Sequence, residues 1–238
     1  MIKKLMLLGL MVAVVAAQFG PVRAQITGWS EPVNLSRSGA GEQPRLVASP
    51  GGAVQVFWWD RFDGLTTAYS SNGTIWTAGY PVPLELERGM PEFVLDRDGR
   101  VHAFWLSEGA GSELWHASMP MGDTVWAVVE LLAEAVLVFE PLTVADGAVV
   151  VSYLRVEQDW ETPAGVFIRR LEPGVFVWNA PIGLDTSAYY RLEAAETAWL
   201  HLATEGGNLT VTWREPNSGD FRTATSGDGG WTWGSPVI

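Results

Sequence analysis

Few side chains in this sequence have the types and spacing for chemistry. Tyr189, Tyr190, Arg191 and Glu193 form its one Tyr/Arg/Glu cluster. Asp60 and Arg61 stand together at the end of an alternating run, and Arg45 lies in the run before it. Converging arginines would bind a carboxylate, because a guanidinium offers paired N–H donors matched to two oxygens. Arg45, Arg61, Arg155, Arg191 and Arg214 are the plausible contributors. Arg61, Arg155 and Arg214 each close a strand of the same kind, so they are expected to share one face without closing into a triad. Trp59 joins those three as a binding-face candidate. Each of these residues also has a plain reading as a loop or strand-end polar group. Carboxylates are plentiful, so composition is compatible with a two-carboxylate acid/base pair. His102, His116 and His201 lack metal-ligand spacing. There is no phosphate-binding glycine loop, no nucleophile elbow and no Cys. No metal and no cofactor is expected.

The elements that position these residues come from a fourfold repeat, Gly-x-Val-x-Val-x-Trp. Its copies are Gly52, Val54, Val56, Trp58; Gly99, Val101, Ala103, Trp105; Gly147, Val149, Val151, Tyr153; and Gly207, Leu209, Val211, Trp213. A second Trp series runs out of phase: Trp29, Trp76, Trp126, Trp178 and Trp233, at spacings of 47, 50, 52 and 55 residues. Four of its members precede Pro-Val or Pro-Ile. A repeat of this length, made of short alternating strands, is the signature of a β-propeller with one four-stranded blade per repeat. The fold class expected is all-β: about four four-stranded blades, at approximately 36–83, 90–132, 140–184 and 198–238.

Within each repeat the second strand carries the motif, at 53–60, 100–107, 148–155 and 208–215. The first strand lies ahead of it, at 44–48, 91–95, 141–144 and 199–204. The third follows, at 65–70, 113–118, 165–171 and 220–225. The fourth is expected to open near Trp76, Thr124, Phe176 and Trp231. Asp-Gly and Gly-Gly between alternating runs mark the hairpins. Position-matched Trp58, Trp105, Tyr153 and Trp213 read as packing between blades. Asp185 to Ala198 reads as an insertion before the last repeat, of the kind that lies on a rim and can carry binding residues.

Ser226-Gly227-Asp228-Gly229-Gly230-Trp231-Thr232-Trp233 matches the Asp box, Ser-x-Asp-x-Gly-x-Thr-Trp, in full. Ser70-Ser71-Asn72-Gly73-Thr74-Ile75-Trp76 is a shorter, degenerate copy. With the repeat, these boxes make residues 27–238 resemble the sialidase-like Asp-box (BNR repeat) β-propeller superfamily. The resemblance implies that Ser226, Asp228, Gly230, Thr232 and Trp233 are structural and lie on the turn between the third and fourth strands. It also implies where a catalytic site would be. Sialidases hold the substrate carboxylate with three arginines and use a Tyr nucleophile assisted by Glu, with an Asp as acid/base. The corresponding parts here would be Arg45, Asp60, Tyr190, Arg191 and Glu193. The Arg-Ile-Pro motif of that family is not matched: Pro44-Arg45-Leu46 has its proline on the wrong side.

Residues 1–25 have the form of a signal peptide: Lys3 and Lys4, an apolar run from Leu5 to Ala17, then Val22-Arg23-Ala24. Export to the periplasm or the exterior is expected, with no membrane span. Removing Lys3, Lys4 and Arg23 from 15 basic residues leaves 12 against 27 acidic ones, a net charge of −15. Such a surface disfavours nucleic acid. The family's usual six or seven blades exceed the four read here, and Trp29 to Leu35 resembles a lone outer strand. An incomplete propeller is therefore expected, a fragment of a longer product or an arc that self-associates. The functional expectation is a secreted, non-catalytic propeller binding a glycan or protein partner. The alternatives are an exo-sialidase or related glycoside hydrolase, and a structural module of a larger surface protein.

Overall fold

The computed structural model describes residues 31–84, 86, 89–107, 112–157, 163–186, 197–216 and 218–238. The expected signal peptide, Trp29, Tyr189, Tyr190, Arg191 and Glu193 lie outside the described residues. From Asn34 onward the chain is one compact unit. Among the described residues there is no α-helix, and no helix is long and apolar enough to cross a membrane.

Four antiparallel sheets follow one another along the chain. The first is β1 (Gly41–Ala48), β2 (Val54–Asp60), β3 (Gly64–Ser70) and β4 (Tyr80–Pro81). The second is β5 (Glu92–Leu95), β6 (Arg100–Leu106), β7 (Leu114–Pro120) and β8 (Val128–Ala133). The third is β9 (Val136–Thr143), β10 (Val149–Arg155), β11 (Gly165–Leu171) and β12 (Ile182–Asp185). The fourth is β13 (Leu200–Glu205), β14 (Asn208–Arg214) and β15 (Phe221–Ser226), with an isolated bridge from Thr223 to Val237 in the place of an outer strand. Strand order within each sheet is sequential. The chain is an incomplete β-propeller of four blades.

The outer strands begin later than the Trp positions predict. The reason is in the turn. In the fourth sheet Asp228 Oδ1 accepts N–H bonds from Trp231 at 3.0 Å and Thr232 at 2.9 Å. Ser226 Oγ accepts the Gly230 N–H at 2.8 Å, and Gly230 adopts φ 99°. Amides satisfied inside the turn are not free to pair with β15, so bonding to it resumes at the Gly234 N–H, which donates to Thr225 O at 2.9 Å, and continues in the bridge at Val237. Asn72 does the same in the first sheet, accepting from the amides of Thr74 and Ile75 at 3.0 Å each. The Trp belongs to the turn, and the Pro-Val or Pro-Ile that follows belongs to the strand.

The third sheet's inner strand also starts earlier than expected, at Val136 rather than Pro141. A proline inside a strand reads as a stop, but β9 is a sheet edge, where the missing N–H costs no ladder bond. Tight turns join first and second strands. At Gly147, φ is 89° and an added Cβ would stand 2.0 Å from Arg97 Cβ of the preceding sheet, so any side chain there would force the blades apart.

In the second and third sheets both faces of the middle strand are buried, as period two requires of an internal blade. From the second sheet onward, the repeat series of the middle strand faces the sheet before it. Val149, Val151 and Tyr153 pack on Phe104 and Leu114, and Leu209, Val211 and Trp213 pack on Val150 and Leu154. Trp58, Trp105, Tyr153 and Trp213 are all buried. The alternate residues of the same strands form the series that faces the next sheet: Phe57 stacks on Phe93 with ring centroids 4.1 Å apart. In the last sheet that series is Thr210, Thr212 and Arg214, all half-buried, and no further sheet covers it among the described residues.

Candidate functional site

The first strand of each sheet lies beside the first strand of the next: β1 by β5, β5 by β9, β9 by β13. These are the inner strands of the arc. Register against the repeat strand identifies equivalent positions on them. Arg45 pairs with Phe57, Glu92 with Phe104, Glu140 with Ser152 and His201 with Thr212. Those four partners occupy the same place in the Gly-x-Val-x-Val-x-Trp motif. The innermost strands therefore carry Arg, Glu, Glu and His at one structural level, an ionisable residue in every copy.

The four side chains remain accessible. Arg45 and Glu92 are 40% and 47% exposed, Glu140 and His201 32% and 55%. Arg45 Nη2 donates to Glu92 Oε1 at 2.9 Å, linking the first two sheets. Glu140 lies 3.1 Å from His201 Nδ1 and accepts the Leu202 N–H at 2.8 Å, linking the last two. Among the described residues this level is not bridged between the second and third sheets. There Glu92 turns back to Arg45, and ahead of it opens a cleft of about 340 Å³ lined by Met90, Glu92, Trp105, Leu106, Val138 and Phe139 among others. Among the described residues of that lining, Glu92 is the one ionisable group.

Of the residues singled out in the sequence, Arg45 belongs to this level. Asp60 does not: it is 2% exposed and is held by Ser38 Oγ and the Phe62 amide. The Ser38 hydroxyl, more than any other contact, keeps its carboxyl below the usual carboxylate range. Arg61 pairs with Glu42. Arg155 lies 5.5 Å over the Phe167 ring, and Arg214 Nε donates to Gly219 O at 3.5 Å. Each of these three is held at the end of its own blade by a different partner. Trp59 packs against the core between the first two sheets. Tyr190, Arg191 and Glu193 lie outside the described residues, as stated. Glu92, Glu140 and His201 escaped the sequence reading. A signal for them was present: Arg45, Glu92 and Glu140 each fall seven residues before a repeat glycine, and His201 six before.

The Asp box sits at the opposite end of the third strand from Arg214. Asp228 also accepts the Thr232 hydroxyl at 2.6 Å, and these bonds, that hydroxyl foremost, hold its carboxyl far below the ordinary range. Buried Arg170 of β11 reaches across to this turn. It donates to the Gly229 carbonyl, to Glu172 and to Asp146 Oδ2, the last at 2.5 Å, and lies 5.1 Å over the Trp231 ring. This is a fastening between blades. Among the described residues no three His, Asp or Glu side chains come together as metal ligands.

Chemically, the inner level offers two carboxylate acceptors, a guanidinium and an imidazole, beside a mostly apolar cleft. Such a set suits a ligand with many hydroxyls and an apolar face.

No family model matches the chain, and no curated protein matches it. Solved structures do share its fold. The BP39L lectin from Burkholderia pseudomallei superposes with a TM-score of 0.57 at 13% identity, over 82% of this chain and 54% of the lectin. A leech intramolecular trans-sialidase gives 0.54 at 11% identity, over 89% of this chain and 53% of that one. A protein of unknown function from Dyadobacter fermentans gives 0.52 at 13%, over 83% and 68%. The chain spans about half the length of the lectin and of the trans-sialidase. The fold is thus that of the sialidase-like and lectin β-propellers.

Proposed function

We propose that this chain is an exported, non-catalytic propeller that binds a glycan at its inner-strand level. The observation that carries the reading is the recurrence of an accessible ionisable residue at one register position in all four blades: Arg45, Glu92, Glu140 and His201. Charged acceptors and donors on rigid strands bind hydroxyl-rich ligands through charge-assisted hydrogen bonds. Fold likeness to a lectin and a trans-sialidase agrees with carbohydrate as the ligand class. A binding rather than hydrolytic role is supported by Arg45, engaged by Glu92, and by Asp60, withdrawn from solvent.

The test is a glycan array probed with the purified chain, followed by Glu140→Gln and Glu92→Gln. Binding that falls at least tenfold in either variant, with unchanged thermal midpoint, supports the proposal. Absence of binding to every glycan contradicts it.

A further inference from the structure

We infer that the cleft between the second and third blades seats one neutral, hydroxyl-rich sugar residue, and that Glu92 accepts its hydroxyls and turns away carboxylated sugars. This rests on the glycan-binding reading and narrows it to a site and a substrate class.

The argument is a comparison of three equivalent seams. At each, the ionisable residue of one inner strand faces the inner strand of the next blade. At the first seam Arg45 meets Glu92 at 2.9 Å. At the third, Glu140 meets His201 and the Leu202 amide. At the second, the residues in this place are Glu92 and Glu140, like charges that turn away to Arg45 and to His201, and the cleft at Glu92 is lined from β9 by Leu137, Val138 and Phe139. The seam that is closed by polar contacts on either side is open here. Its space of about 340 Å³ is at the small end of ligand sites, which run roughly 300–1,000 Å³.

The lining sets the class. Half-buried Leu106, Val138 and Phe139 offer an apolar surface for the C–H face of a sugar ring. The carboxylate of Glu92, nearly half exposed, has acceptor capacity beyond its bond to Arg45. A carboxylated sugar would meet that carboxylate as a like charge. The guanidinium bonded to it, that of Arg45, is already neutralised by it. The mature chain's net charge of −15 works in the same direction.

The test is calorimetric titration of the full chain with methyl glycosides of neutral hexoses and deoxyhexoses, and with methyl glucuronide and methyl sialoside. Neutral glycosides should bind at least tenfold more tightly than the two acids. Glu92→Gln should weaken neutral binding tenfold or more and, by freeing Arg45, raise relative affinity for glucuronide. Met90→Trp, which fills the cleft, should abolish binding. Should that variant fail to fold, the selectivity change in Glu92→Gln decides alone. Preference for either acid in the wild type overturns the inference. So does neutral binding untouched by both variants, which would leave glycan binding standing at another site. No binding to any glycan overturns inference and proposed function together.

Discussion

Nδ1 of His102 lies 2.9 Å from Nε2 of His116, and the two rings stack at 15°, both shut away from solvent. The pair belongs to a chain of polar groups through the second blade. His102 Nε2 is 3.1 Å from Asp96 Oδ2, and His116 Nδ1 is 3.1 Å from Glu130 Oε1 and 3.3 Å from Trp178 Nε1 of the third blade. An indole can only donate, so His116 Nδ1 is the acceptor. His116 then donates from Nε2 to His102, and His102 donates from Nε2 to Asp96. With both rings neutral, the links to Trp178, His102 and Asp96 are satisfied, while the bare His116 Nδ1 and the Glu130 carboxylate face each other as two acceptors.

A proton added to His116 Nδ1 would leave the Trp178 N–H without its acceptor. Burial pushes His116 down to about 4, against the pull of Glu130. The sign follows. An unfolded His titrates near 6.5, so between pH 6.5 and 4 the unfolded chain holds the extra proton and stability falls as pH falls. The loss is about 3 kcal/mol across that window, and this group adds nothing below it. Denaturant unfolding at pH 7.5 and 4.5 should show it. Little change between those values, or a slope equally steep in His116→Gln, contradicts the assignment.

Asp228 is predicted to act through geometry more than charge. Asn72 occupies its place in the first blade and accepts the same kind of amide bonds. Asp228→Asn should therefore lower the thermal midpoint less than Asp228→Ala, which leaves the Trp231 and Thr232 amides without their acceptor. Equal loss in the two variants would refute the turn-acceptor role.

Arg170→Met should destabilise by about 3 kcal/mol, because it strips the guanidinium from Asp146, Glu172 and the Gly229 carbonyl at once. Chemical denaturation measures it. A loss below about 1 kcal/mol would mean that the fastening between the last two blades is held by the Trp213 core alone.

Legibility in the sequence was uneven. The four blades were legible because alternating Val and Trp repeat with a glycine turn ahead of them, and β11 came out with the expected bounds of Gly165–Leu171. The outer strands of the first and last blades begin beyond the expected positions because Trp76 and Trp233 look like strand residues, whereas the turn chemistry of Asn72 and Asp228 keeps such positions out of the ladder. The inner-strand level was half legible. Arg45 stood out as a cation, but Glu92, Glu140 and His201 differ in type and become one feature only when aligned by register. Asp60 looked available because it ends a strand. Burial by Ser38, 22 residues away, is a tertiary fact that no local pattern carries.

The most direct test of the account is incubation of the purified chain with a fluorogenic sialoside, with glycan binding recorded on the same sample. The account predicts saturable glycan binding and no release of the fluorophore. Release that disappears in Arg45→Ala or Tyr190→Phe would contradict it and make the chain a hydrolase.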